Sequence, residues 1–257
     1  MSIKITLSDL GFMDLFKAFI AWTIVLLIVA IIINLLVGTQ YATFIQEDPL
    51  KAARDFAEAF VTVVNPSAHP STFTKIVGRY GISPILFFAL SAVVNSILFT
   101  IFGLALLSGL RLWFGIHTIW KSPRSILGLI ALAGASLSLI GPVLALIGLV
   151  LLLVTDVTPV VNQGMVLTLN SPFIYMALPF PWPITIGTFL WILGIGIIGG
   201  ALLLILLIRN KDFLGSAFMA ILIIGSVLSI IGMLLIGFML MLIASGLVVL
   251  TKVGVAV

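Results

Sequence analysis

The sequence predicts an all-α integral membrane protein, a polytopic bundle of about five transmembrane helices. Hydrophobic residues make up 62% of the 257-residue chain and charged residues only 8%, whereas about 25% are charged in a typical soluble domain. Four uncharged runs of 26 to 38 residues are each long enough to cross a hydrocarbon layer ~30 Å thick as a helix. The runs are continuous rather than alternating, which argues against the strands of a membrane barrel and favours helices.

The first predicted span covers residues 12–38. It is longer than the ~7–15 apolar residues of a cleavable signal, which favours a retained signal-anchor. Lys4 and Lys17 lie at its start, and because basic flanks face the cytoplasm, a cytoplasmic N-terminus is predicted. Asp14 and Lys17 lie at the inner edge of this span, where their spacing permits a surface ion pair.

The most hydrophilic segment, residues 39–83, follows the first span. An amphipathic helix is predicted at 49–64, since Asp48 can cap it and Pro49 fits its first turn. Its apolar residues recur three or four positions apart, at Leu50, Ala53, Ala57, Phe60 and Val64. We expect this helix to lie on the outer surface of the bundle. The alternative is that it docks a partner.

The second and third predicted spans are residues 84–110 and 125–155. Residues 111–124 between them combine aromatic and basic side chains, as in the belt on the positively charged side of a membrane, and are predicted as a cytoplasmic loop. Gly141-Pro142 inside the third span predicts a kink. The belt residues are Arg111, Trp113, Phe114, Trp120, Lys121 and Arg124.

The fourth and fifth predicted spans, residues 183–208 and 213–250, are separated by four residues only. As one helix, the 38-residue run 213–250 would extend to ~57 Å at ~1.5 Å per residue. It is therefore either a tilted or kinked helix or a pair of helices that folds back, with the break between Gly232 and Gly237. Five spans place the C-terminus outside, and folding back of the runs 125–155 and 213–250 raises the count to six or seven.

Small and polar residues within the spans are the candidate pore or helix-packing positions. Asn95 is expected near the midplane, where it forms an interhelical hydrogen bond or lines a pore. Glycine or serine four residues apart permits close helix approach, as at Gly134–Ser138. The candidate positions are Asn95, Gly196, Gly200, Gly225, Ser229, Gly232 and Gly237.

An internal duplication is a further hypothesis. Pro84–Asp156 and Pro183–Lys252 share a proline entry, an apolar span, a basic turn and an overlong run. Leu137–Gly141 also resembles Leu228–Gly232. Two parallel helical hairpins of this kind occur in some transporters. The alternative is coincidence, because a restricted apolar alphabet matches itself easily.

The residue inventory excludes several classes of chemistry. The absence of cysteine excludes disulfides, thiolate metal sites and a cysteine nucleophile. The two histidines, His69 and His117, fall on opposite sides in the predicted topology, so no metal or cofactor site is expected. The predicted spans contain no ionisable group in their cores, which argues against coupled transport. No paired carboxylate or histidine–acid arrangement lies at an interface, so no catalytic residue is assigned.

These exclusions favour a non-enzymatic, multi-pass subunit of a larger assembly in the cell membrane. Such a subunit acts as a scaffold or as part of a translocation channel. Its expected partners are membrane lipids and other membrane subunits or further copies of itself, and no nucleic-acid-binding motif is present. The alternatives are a stand-alone facilitator or pore for a solute, peptide or nucleic-acid strand and, less favoured, a membrane-embedded enzyme that modifies lipid.

Overall fold

The protein is described by a computed structural model that covers residues 5–25, 27–28, 84–120, 125–154, 182–209, 212–251 and 254–255. Six helices occur in these ranges, and five of them are long and apolar enough to cross a membrane. The prediction of a polytopic helical membrane protein is thus confirmed. The predicted helix 49–64, His69 and residues 29–38 of the first predicted span lie outside the described residues.

The helices follow one another with short connections wherever the structure describes them. A 3₁₀ turn, Leu7–Leu10, leads into α1, which is described over residues 12–25 and 27–28. The remaining helices are α2 (Pro84–Trp120), α3 (Ile126–Val154), α4 (Trp182–Arg209), α5 (Phe213–Ile230) and α6 (Leu234–Thr251). Two short strands, β1 (Ile5–Thr6) and β2 (Gly254–Val255), flank this set.

The chain divides into two compact units. The first comprises Met1–Thr23, Phe99–Leu146 and Ile186–Val257, and contains every site discussed below. The second comprises Ile24–Leu98 and Ile147–Thr185. Within the second unit, α3 and α4 approach closely at Gly148, where an added Cβ would lie 3.0 Å from the backbone nitrogen of Ile184.

The long run 213–250 folds back on itself as the hairpin α5–α6. Asp212 begins the hairpin as an N-cap, because its carboxylate accepts the N–H of Gly215 at 3.1 Å. At the far end, Gly232 has φ of 96°, the left-handed conformation that glycine adopts without strain. The structure thereby decides between the two alternatives for this run.

The hairpin turn satisfies its own backbone. The N–H of Gly232 donates to the carbonyl of Ser229 at 3.3 Å, and the N–H of Met233 donates to that of Leu228 at 2.9 Å. This pair of bonds is the Schellman arrangement that closes a helix at glycine. Apolar surroundings offer no water to a free carbonyl. Because the turn bonds these carbonyls to its own N–H groups, it can form without polar side chains.

The helices of the first unit meet at glycines. In the hairpin, a Cβ added to Gly237 would lie 2.6 Å from the carbonyl oxygen of Gly225. Between α3 and α4, a Cβ added to Gly194 would lie 2.5 Å from the backbone nitrogen of Ser138. Both distances are far below van der Waals contact, so these interfaces exist only because the positions lack side chains.

The helix α3 is continuous through Pro142, so the run 125–155 does not fold back. An added Cβ on Gly141 would lie 2.5 Å from the backbone nitrogen of Trp191, which gives Gly141 a packing role. Gly232, its counterpart in the proposed duplication, instead forms a turn. Pro84–Asp156 thus contains two described helices and Pro183–Lys252 contains three, and the predicted duplication is not reproduced.

The two ends of the chain lie on the same side of the bundle. Strands β1 and β2 pair antiparallel, with Ile5 opposite Val255 and Thr6 opposite Gly254. The prediction that the C-terminus lies outside, opposite the N-terminus, is therefore wrong. It failed because it counted residues 213–250 as a single crossing, whereas the hairpin returns the chain to its starting side.

The paired ends can be tested by cross-linking, since the chain has no cysteine of its own. We expect the double variant Thr6→Cys/Gly254→Cys to form a disulfide in membranes, because paired antiparallel residues have Cα atoms about 4.5–5.5 Å apart, within disulfide range. Non-reducing electrophoresis after protease cleavage between the sites measures it. Thr6→Cys/Met233→Cys, which joins opposite ends of the bundle, is the matched control; equal cross-linking in both would contradict the pairing.

The glycine contact in the hairpin predicts a position-dependent loss of stability. Gly237→Leu should lower the unfolding free energy by about 1–3 kcal/mol, the typical cost of forcing extra atoms into a packed interface. Gly103→Leu is the control, because a Cβ at Gly103 meets no atom within 4 Å. Thermal unfolding of the purified protein in detergent compares them. If both variants unfold together, the described approach of α5 and α6 is wrong.

Candidate functional site

The centre of the first unit is filled by aromatic rings. Five side chains from α1, α2, α4 and α6 contact one another, with ring centroids 5.3 to 6.2 Å apart. They are Phe19, Trp22, Phe102, Trp191 and Phe238, and none is more than 4% exposed. Tilted and edge-to-face aromatic pairs of this kind add to the stabilisation from burial alone. We call this set the aromatic core.

One polar atom within the aromatic core has no hydrogen-bond partner in the described part of the chain. It is Nε1 of Trp22. The Trp22 ring is stacked on Phe238 at 5.3 Å and lies edge-on to Phe102 at 6.2 Å, so aromatic faces surround the indole. The packing of the ring outweighs the unsatisfied N–H, which alone costs about 1–3 kcal/mol.

An ion pair between a buried carboxylate and an exposed guanidinium lies at the end of the bundle where the termini meet. The Nη1 atom of Arg111 on α2 is 2.8 Å from Oδ2 of Asp14 on α1. Asp14 has a side chain only 7% exposed, against 56% for Arg111. Oδ2 has no hydrogen bond despite this distance, so the N–H directions are not aligned with it and the contact is mainly electrostatic.

Neighbouring backbone contacts hold this ion pair in place. The hydroxyl of Ser108 donates to the carbonyl oxygen of Gly11 at 3.1 Å, which joins α2 to the residue that precedes α1. Gly11 has φ of 95°, and an added Cβ there would lie 2.9 Å from Cβ of Arg111. The close approach of Gly11 to α2 therefore places the carboxylate beside the guanidinium.

The ion pair corrects two sequence predictions. Residues 111–120 were predicted as part of a loop but continue α2 to Trp120, so Arg111 lies within the apolar segment Ser96–Thr118. Asp14 also pairs with Arg111 rather than with Lys17, the pairing that the sequence spacing permitted. The missed signal is helical spacing after Arg111: Leu112 and Ile116, four apart, are both buried.

The structure distributes the predicted pore or packing residues among different interfaces. Gly196 faces Ser226 across α4 and α5, with an added Cβ 3.0 Å from the Ser226 Cβ, whereas a Cβ on Gly200 would be 3.9 Å from its nearest neighbour. Gly199, which the sequence analysis passed over, is closer to α5 than Gly200 is. Gly225, Ser229 and Gly237 meet in the hairpin, and Gly232 forms its turn.

Two further sequence candidates are described only in part. Asn95 lies in α2, and its side chain is outside the described residues. His117 is exposed and stacks on Trp113 at 5.5 Å. No group of three or more potential metal-ligating His, Cys, Asp or Glu side chains occurs within the described ranges.

A local cap orders the chain just before α1. Asp9 accepts hydrogen bonds from the hydroxyl and from the N–H of Thr6, the latter at 3.0 Å. These bonds favour the carboxylate and lower the pKa of Asp9 below its ordinary value of 3.8. Their stabilisation is present above that value and disappears as the pH falls through the lowered pKa.

Comparisons with models of known families, with characterised proteins and with solved structures return no match for this chain. Any functional conclusion therefore depends on the geometry described above. The features that carry it are the aromatic core, the Asp14–Arg111 ion pair and the glycine contacts between helices.

The unpartnered indole predicts opposite effects for two substitutions at one position. Trp22→Phe should leave the unfolding free energy unchanged or raise it by up to about 1 kcal/mol, because it removes an unsatisfied N–H and keeps a ring. Trp22→Ala should lower it by about 3–5 kcal/mol through the cavity that it creates. Chemical denaturation of the purified protein measures both values. Equal destabilisation by the two variants would show that the Trp22 N–H is satisfied after all.

Proposed function

We propose that the chain is a non-enzymatic, polytopic membrane subunit that acts as a scaffold within a larger assembly. The observation that carries the proposal is the aromatic core. Phe19, Trp22 and Trp191, with Phe102 and Phe238, fill the space between four helices with side chains at most 4% exposed. A solid centre of this kind suits a structural element, since neither a water path nor a substrate has room there.

The hydrogen bonds that hydroxyl groups form in the first unit favour a scaffold role rather than a pore. The hydroxyl of Ser226 donates to the carbonyl of Leu222 at 2.9 Å, that of Thr23 to Phe19 at 2.8 Å, and that of Ser136 to Leu132 at 2.9 Å. Each donor is thus bonded one turn back along its own helix, and the Ser226 hydroxyl also lies 3.3 Å from Sδ of Met241 on α6. The stand-alone pore and the lipid-modifying enzyme have no comparable support in the described residues.

A glycine on the outside of α2 supports association with another membrane helix. Gly103 has no atom within 4 Å of the position that its Cβ would occupy, so none of the described helices requires a glycine there. A glycine inside a helix costs about 0.5–1 kcal/mol relative to alanine. In membranes this cost is commonly offset by close approach of a second helix. A partner subunit or a second copy would supply that helix.

The distribution of charge supports a cytoplasmic location for both termini. We count the charged residues that belong to the helix ends on the side of the paired termini or are close to them in sequence. They include eight of the 12 basic residues and three of the eight acidic ones. The basic residues are Lys4, Lys17, Arg111, Lys121, Arg124, Arg209, Lys211 and Lys252, and the acidic ones are Asp9, Asp14 and Asp212. An excess of Lys and Arg is typical of the cytoplasmic side, and we place the chain in the cell membrane in this orientation.

Site-directed photocross-linking tests the assembly. Gly103→Cys, coupled to a photoactivatable maleimide in its native membrane, should yield a protein adduct heavier than the 27.5 kDa chain. Ile224→Cys, on α5 and 53% exposed, is the control and should yield mainly lipid adducts. Native mass measurement after gentle solubilisation gives an independent readout. A lone chain of 27.5 kDa together with lipid adducts at both positions would refute the proposal.

A further inference from the structure

An exposed stripe on α2 surrounds the outer side of Arg111. Leu107, Arg111, Phe114 and Thr118 follow one another at three- or four-residue steps, which places them on one side of a helix. The side chains of Leu107, Arg111 and Phe114 are 47%, 56% and 61% exposed, and Thr118 is also exposed. We call these four residues the α2 outer face.

The guanidinium on this face has more N–H donors than its contact with one oxygen of Asp14 requires. Arginine has five N–H donors in a planar fork, and the Arg111 side chain is 56% exposed while its Nη1 lies 2.8 Å from Oδ2 of Asp14. The buried carboxylate lies behind the guanidinium and restrains it, while the rest of the side chain stays accessible. Lys17 is exposed three residues after Asp14 on α1, so a second cation lies within one helical turn of the paired carboxylate.

We propose that the α2 outer face binds an acidic phospholipid, with the lipid phosphate at the Arg111 guanidinium. The fork geometry of arginine matches two phosphate oxygens. Leu107, one helical turn from Arg111 toward the membrane interior, offers apolar contact for an acyl chain, and Phe114, one turn toward the end of α2, lies on the headgroup side. A water-soluble anion would match the guanidinium but would gain nothing from these apolar neighbours, and basic sites near the cytoplasmic ends of membrane helices bind anionic headgroups in this manner.

The ring pair beside this face fits the same location. Trp113 and His117 stack at 5.5 Å with their planes 21° apart, and His117 is exposed. Tryptophan is enriched at the level of lipid headgroups, where one edge of the indole meets polar groups and the other meets acyl chains. Arg111 is thus close to the depth at which a phosphate is found.

Native mass spectrometry tests the site. The protein is equilibrated with equal amounts of phosphatidylglycerol and phosphatidylcholine, and the ratio of retained lipids is measured. We expect the wild type to retain more phosphatidylglycerol, and the double variant Asp14→Asn/Arg111→Gln to lower this preference about tenfold, equivalent to about 1.4 kcal/mol. The double variant removes one charge of each sign, so the net charge of the protein is unchanged and no unpaired buried charge is left.

The matched control is Arg209→Gln, which removes an exposed cation at the end of α4 on the same side and lowers the net charge by one. It should keep the preference. A loss as large as in the double variant would show a diffuse charge effect and overturn the site, as would an unchanged ratio in the double variant. Recovery of a second protein chain on this face in place of lipid would also overturn it.

A second variant covers the case in which the double variant does not fold. Arg111→Lys keeps the charge opposite Asp14 but lacks the fork, and should reduce the preference severalfold. An unchanged preference would contradict phosphate binding through the guanidinium. This inference does not depend on the proposed scaffold role: a monomer that retains phosphatidylglycerol would refute the assembly and leave the lipid site intact.

Discussion

Direct contact between helix backbones is the constraint on which the rest of this bundle depends. In lipid, apolar helix surfaces gain little from leaving their solvent, so association depends on close packing. Gly194 against Ser138, and Gly225 against Gly237, bring backbone atoms to distances that any side chain would block. Where helices meet so closely at some levels, large residues must fill the wider spaces that remain. The aromatic core does so with five rings from four helices.

The positions of the charged groups follow from the same packing. Because Gly11 approaches α2 closely, Asp14 lies beside Arg111 at 2.8 Å and the carboxylate is buried. A buried carboxylate requires compensation, and the neighbouring guanidinium provides it while remaining half exposed. A restrained but accessible cation near the membrane surface differs from the freely moving side chains of a basic tail, and this difference makes Arg111 a candidate recognition residue rather than only a topology signal.

The sequence was sufficient for the fold class and for most helix positions, because uncharged runs of 26 residues or more have few other solutions in lipid. It was insufficient at Gly232 and Gly141. Both are glycines in similar apolar surroundings, yet one reverses the chain and the other packs inside a helix, and only tertiary contacts distinguish them. The aromatic core was also inaccessible from sequence, since Phe19, Trp191 and Phe238 are far apart in the chain and no periodic pattern relates them.

The hairpin also determines how often the chain crosses the membrane. Strands β1 and β2 place both ends on one side, which requires an even number of crossings. Helices α5 and α6 each have the length and composition to cross, so the hairpin contributes two potential crossings where the sequence analysis counted one.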